Sequence, residues 1–173
     1  MKNPEEKIIT DKKTLEYHRE YFRVNDKKLV VTNGCFDLLH RGHVEYLYKA
    51  RKQGDGLLVL LNSDSSVRML KGEFRPVKDE YSRALILAGF YFVDLIYIFS
   101  GLRCTGLLET VKPDIYIKGG DYTIDTINTD EKNILLANGA EIRFIKFRNG
   151  FSSSDMMKKI RDIKFFNRPM NPV

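Results

Sequence analysis

Along the chain, short continuous apolar runs alternate with longer stretches of helical spacing. Leu29-Val30-Val31-Thr32 is an apolar, β-branched run that stops at the turn signal Asn33-Gly34, which predicts a buried strand. From Arg41 to Gln53 the apolar positions Val44, Leu47 and Tyr48, with the stem of Arg51, follow helical spacing until Gly54-Asp55-Gly56 ends it. Leu57–Leu61 repeats the strand signal, completing a βαβ unit, whose crossover is right-handed in nearly all known cases. The alternation continues with strands predicted at Asp94–Phe99, Asp114–Ile117 and Glu141–Phe147, separated by helices at Asp64–Leu70, Glu80–Phe90, Arg103–Val111 and Thr129–Asn138. A last amphipathic helix is expected at Ser153–Lys164. Continuously apolar strands interleaved with helices imply an α/β fold: an open, doubly wound parallel sheet of five strands, covered on both faces.

Such sheets bind ligands beyond the carboxyl ends of their strands, where the strand order reverses. The loops to inspect are therefore 33–41, 62–64, 100–103, 118–122 and 148–154. Residues 29–164 make the expected domain. Residues 1–28 read as an arm with a helix at Lys12–Phe22 that packs on the core or on a second subunit, and residues 165–173 as a tail.

A length of 173 residues allows one domain, and 43% hydrophobic with 30% charged residues fits a globular chain. The net charge of +6 raises the question of nucleic acid, but its distribution argues against it. Residues 1–28 hold eight Lys/Arg against six Asp/Glu and residues 150–173 hold five against two, so the ends carry +5 and the body is nearly neutral. No run reaches the roughly 18–20 apolar residues of a membrane span, and the start lacks a signal-peptide segment, which makes a cytoplasmic protein the expectation. Cys35 and Cys104 are too few for a disulfide framework and read as free thiols. Tyr91, Phe92 and Tyr97 read as core aromatics.

Neither a Gly-x-Gly-x-x-Gly dinucleotide turn nor a Gly-x-x-x-x-Gly-Lys-Ser/Thr phosphate loop occurs. The loop after the first strand instead ends in His40-Arg41-Gly42-His43, opening a helix. A spacing of three puts both imidazoles on one side of the first turn, beside backbone N–H groups that lack helical partners. That suits the charge that builds on a phosphoryl group during in-line displacement, and Gly42 lets a ligand approach the backbone. Two other readings stay open: an incidental pair, and a metal site of Asp37, His40 and His43 completed by His18. Lys71 and Arg75 lie in a charged loop and read, on their own, as solvated surface. Arg83 holds a phosphate or braces the loop against an acid such as Asp79. Ser152-Ser153-Ser154 opens the last helix as an ordinary cap, a phosphate-binding tip, or both. Cys35 has no matching base nearby and reads as packing.

The segments Thr32–His43, Val59–Val67, Lys71–Val77, Lys118–Tyr122 and Gly150–Ser154, with Arg83, together resemble the cytidylyltransferase-like nucleotidyltransferases. The likeness is closer to the adenylyltransferase domains of ADP-heptose synthases. It covers about residues 25–162, with Ser152-Ser153-Ser154 standing where that family usually has Ser-Thr-Thr.

The resemblance implies His40 and His43 as the catalytic pair. It implies Thr32, Asn33, Gly34, Cys35, Phe36, Gly42, Arg75, Lys118, Gly119, Asp121, Ser152, Ser153 and Ser154 at the nucleotide, and Asp37, Lys71 and Arg83 at the acceptor. It further implies Mg²⁺ carried by the triphosphate, no confident protein ligand to a metal, and small-molecule substrates: ATP and D-glycero-D-manno-heptose 1-phosphate. A separate kinase would supply that sugar phosphate for surface polysaccharide synthesis. Competing expectations are a cytidylyl- or guanylyltransferase for another acceptor such as glycerol 3-phosphate, and a nucleotide-binding module without turnover. A homodimer is the default assembly.

Overall fold

The computed structural model describes residues 3–120, 122–146 and 153–162. Its strands are β1 (Ile8–Ile9), β2 (Leu29–Gly34), β3 (Gly56–Asn62), β4 (Leu95–Phe99), β5 (Ile115–Gly119) and β6 (Glu141–Ile145). The helices are α1 (Lys12–Val24), α2 (Arg41–Arg51), α3 (Asp64–Lys71), α4 (Glu80–Ala88), α5 (Thr105–Val111), α6 (Thr129–Ala137) and α7 (Ser153–Asp162).

All strands pair in parallel, in the order β1-β4-β3-β2-β5-β6. The sheet thus has six strands where the sequence predicts five. The additional one is Ile8–Ile9, which pairs with Ile96 and Tyr97. Residues read as an arm therefore supply both a strand and a helix of the body: Leu15 and Phe22 of α1 are buried in the core.

Alternation along the central strands divides the core into two layers. Leu29, Val31, Leu58, Leu60 and Tyr116 face α1, α5 and α6, meeting Leu15, Leu108 and Leu135. Val30, Leu57, Val59, Leu61 and Ile117 face α2 and α4, meeting Leu47, Ala50, Ala84 and Leu87. Because helices cover both faces, β3 is buried at every position, which is why it reads as an unbroken apolar run. Tyr91 departs from expectation: it is 79% exposed, while its neighbour Phe92 takes the core position.

Helix starts follow local polar chemistry. Ser63, Asp79 and Asn128 accept the N–H groups of Ser66, Ser82 and Glu131, fixing the starts of α3, α4 and α6. Asp94 and Asp114, read as the first residues of strands, stand just before them. Asp94 accepts from Leu57 N and Arg51 Nε, and Asp114 from Leu29 N and Arg19, so each ties a strand entrance to the next strand. The chain winds outward from β2 through β3 and β4, then restarts at β5 on β2's other side. The reversal of strand order falls between β2 and β5, and the site is expected above it.

Candidate active site

A cleft of about 380 Å³ opens at that reversal point. Of the residues expected at a site, Asn33, Gly34, Cys35, Phe36, Asp37, His43, Lys71, Lys118, Gly119 and Ser153 line it. The first six come from the end of β2, the loop after it and the start of α2, whereas Ser153 opens α7 near the far end of the chain. Its hydroxyl donates to the Leu38 carbonyl at 3.2 Å, which ties the two helix tips together. Asp121 and Ser152 lie outside the described residues, as does the side chain of Ser154.

His40 is the N-cap of α2, and its ring lies 3.9 Å from that of His43, centroid to centroid. The His40 backbone N–H donates to His43 Nδ1 at 3.3 Å, so the neutral His43 ring carries its proton on Nε2. Burial, with the His40 ring and the Lys71 charge beside it, lowers the His43 pKa to about 3. Burial also lowers that of His40. At neutral pH the pair therefore offers N–H donors and not imidazolium charge.

Stability should depend on pH as a result. A ring that titrates near 6.5 when unfolded and near 3 when folded binds fewer protons in the native state between those values, so its contribution to stability is lost as pH falls through that window. Urea unfolding at pH 7 and pH 5 should show wild type losing roughly 1–2 kcal/mol more than His43→Asn. Equal losses would show that the folded ring is not held neutral.

Phe36 holds His43 from the other side, ring centroids 5.4 Å apart, with a left-handed backbone (φ 44°) unusual for a bulky residue. Such strain is maintained at sites where the loop path matters more than the local cost. Asp37, 2% exposed, receives the Arg75 guanidinium and the Val77 and Lys78 amides, latching the 72–78 loop to the site. Burial pushes its pKa up, but Arg75 and the two amides together outweigh that and hold the carboxyl below its ordinary range. Arg75 does not line the cleft itself. Its Nη2 is nevertheless buried without a partner among the described residues, a donor that an anion or water would complete.

Several expected contacts are corrected by the packing. Arg83 is fully buried and does not itself line the cleft. Its guanidinium donates to the Lys78, Cys35 and Asn62 carbonyls and to Asp64, so it braces the loops from below. Asp64, not Asp79, is its ion-pair partner. Thr32 is also fully buried. Since the Tyr46 hydroxyl gives its proton to the Ile117 carbonyl, Thr32 donates to Tyr46 and has none left for a nucleotide. Gly42 is buried in the first turn of α2, where His43 forms the wall instead. Lys118 lines the cleft, but its three ammonium protons meet Asn33 Oδ1 (2.8 Å), the Tyr116 hydroxyl (3.1 Å) and Glu131 (3.2 Å), leaving none for a phosphate. Among the described residues no His/Cys/Asp/Glu cluster has metal-ligand geometry, and Asp37 is engaged by Arg75. The Cys35 thiol is pushed up by burial, in keeping with packing.

The cleft is also lined by residues that sequence reasoning passed over: Tyr46, Asn62, Leu70, Leu102, Arg103, Tyr122 and Glu131. Asn62, Leu102, Arg103 and Tyr122 stand in strand-end loops that topology marks for inspection. Tyr46 and Glu131 lie inside helices and carried no signal.

The cytidylyltransferase-like family model matches residues 31–159, a span that holds every described cleft residue. The bifunctional protein HldE of Campylobacter jejuni is 49% identical over 141 residues, 81% of this chain, and that of Histophilus somni 42% identical over 156 residues, 90% of this chain. The aligned regions are 29% and 32% of those relatives, so the chain spans less than a third of their length. Among solved structures, the lipopolysaccharide core biosynthesis protein of Thermoplasma volcanium superposes with a TM-score of 0.58 at 28% identity, covering 70% of this chain and 97% of that one. Pantoate-β-alanine ligase from Francisella tularensis, at 14% identity and a TM-score of 0.58 over 95% of this chain and 81% of its own, shares the fold. By sequence match and by the cleft at its strand reversal, the chain belongs to the cytidylyltransferase-like family.

Proposed function

We propose that the chain is a nucleotidyltransferase that moves an adenylyl group from ATP to D-glycero-D-manno-heptose 1-phosphate. A phosphate oxygen of the sugar phosphate forms a bond to the α-phosphorus, the bond from that phosphorus to the bridging oxygen of the β-phosphate breaks, and pyrophosphate leaves with the electron pair. The observation that carries this reading is that His43 and Ser153, from opposite ends of the matched region, line one cleft. Helix tips of this kind offer backbone and side-chain donors to phosphate oxygens. The neutral His43 ring donates to an α-phosphoryl oxygen, and that hydrogen bond strengthens as charge accumulates in the transition state. Lys71 supplies a cation at the rim, and Arg75 a buried donor fixed by Asp37.

Among the described residues the two carboxylates that line the cleft, Asp37 and Glu131, are each paired with a cation, and Mg²⁺ would be held by phosphate oxygens and water. Bound there, the ion would neutralise charge on the triphosphate. The heptose acceptor and a role in lipopolysaccharide assembly are supported by the relatives named HldE and by the lipopolysaccharide core protein of the same fold.

Pyrophosphate release, measured with ATP, CTP and GTP against a panel of sugar and polyol phosphates, tests the reading. Turnover is expected with ATP and the heptose 1-phosphate. Activity with CTP and glycerol 3-phosphate, and none with ATP, would defeat it.

A further inference from the structure

The geometry points to Glu131 as a positioning residue that, through Lys118 and Tyr116, fixes the carboxamide of Asn33 with its NH₂ group presented to the triphosphate. The inference rests on the nucleotide-binding role proposed for the cleft and assigns a part to residues outside the segment Asn33–His43.

Glu131 is 1% exposed in the first turn of α6, and burying a carboxylate there is costly unless its lone pairs are used. They are: one oxygen takes the Lys118 ammonium at 3.2 Å, and the other faces Cys104 Sγ at 3.7 Å. The Tyr116 hydroxyl accepts from Lys118 and has one proton to give; Asn33 Oδ1 at 2.7 Å takes it in preference to Glu131 Oε2, which lies at 3.5 Å. Lys118 donates to that same oxygen at 2.8 Å. Two donors on Oδ1 settle which end of the amide is which. Nδ2 has no partner among the described residues, and Asn33 lines the cleft one residue before Gly34. An amide locked by a buried ion pair has its donors oriented before the ligand arrives, so ordering them at binding costs nothing further.

ATP affinity, measured by calorimetry on the full chain without acceptor, reads this arrangement independently of turnover. Glu131→Met should weaken ATP binding about tenfold, while Glu131→Gln, which keeps an acceptor for Lys118, should stay within threefold. Asn33→Ala should show a similar tenfold loss, and adding Glu131→Met to it should change nothing more, because the two act as one unit. A merely structural Glu131 would lower affinity equally in both backgrounds, and that additivity would overturn the inference. So would wild-type affinity in a folded Glu131→Met. Should that variant not fold, Glu131→Met with Lys118→Met buries no unpaired charge and is expected to show the same tenfold loss, with unchanged affinity overturning the inference. Absence of ATP binding by wild type would instead count against the proposed nucleotidyltransferase.

Discussion

Replacing His43 with alanine should lower kcat on the order of 10²–10³-fold while leaving KM for ATP within a few-fold. That is the size expected when one preorganised hydrogen-bond donor to a developing oxyanion is removed. The assignment to the transition state rests on the protonation of the ring. With Nδ1 accepting the His40 amide and the pKa held near 3, the ring brings a dipole and not a full charge to the ground state. A cation would bind the triphosphate tightly before reaction as well as during it, and its loss would raise KM; a neutral donor contributes most where the negative charge is greatest. Single-turnover pyrophosphate release separates the two. A variant that keeps its fold by circular dichroism and turns over within threefold of wild type would remove His43 from the chemistry.

The second large effect is on stability. Arg83→Met should destabilise the chain by about 3–5 kcal/mol in urea unfolding, the usual cost of breaking a buried ion pair from one side. Methionine fills much of the volume but leaves the Cys35, Asn62 and Lys78 carbonyls and the Asp64 carboxylate without the donor that joins them. Arg83→Lys should recover only part, because an ammonium on a single point cannot serve acceptors arrayed around a planar fork. A loss below 1 kcal/mol for methionine would mean that those carbonyls find water instead.

Arg83 also shows where reading a sequence stops. Four residues after Asp79 on a helix, it has the spacing of a surface ion pair. The Asp79 carboxylate is used on Ser82 at the helix start, and α4 turns Arg83 to the sheet. Which way a helix faces is decided by packing, and local spacing does not record it. The central strands and the helices between them were legible because two-sided burial demands unbroken apolar runs and because Ser63, Asp79 and Asn128 are strong start signals. The strand Ile8–Ile9 was not, since two residues in a polar segment show no period. The segment Asn33–His43 was legible as a motif. Glu131 was not: an acidic residue in a helix's first turn reads as a complement to the helix dipole, and its burial beside Lys118 depends on how α6 lies against β5.

The two margins of the sheet are guarded by different means. Along β6 the outer margin alternates Glu141 and Arg143 among its apolar residues, and charges at an edge discourage another chain from adding on. Leu95–Phe99 carries no charge at all, and its outer amides and carbonyls, were they left unpaired, would template self-association. Ile8 and Ile9 occupy that row. A fragment cut to the family match at 31–159 would thus keep the whole described cleft and yet expose a sticky flank, so its solubility, more than its chemistry, depends on the segment ahead of the motif.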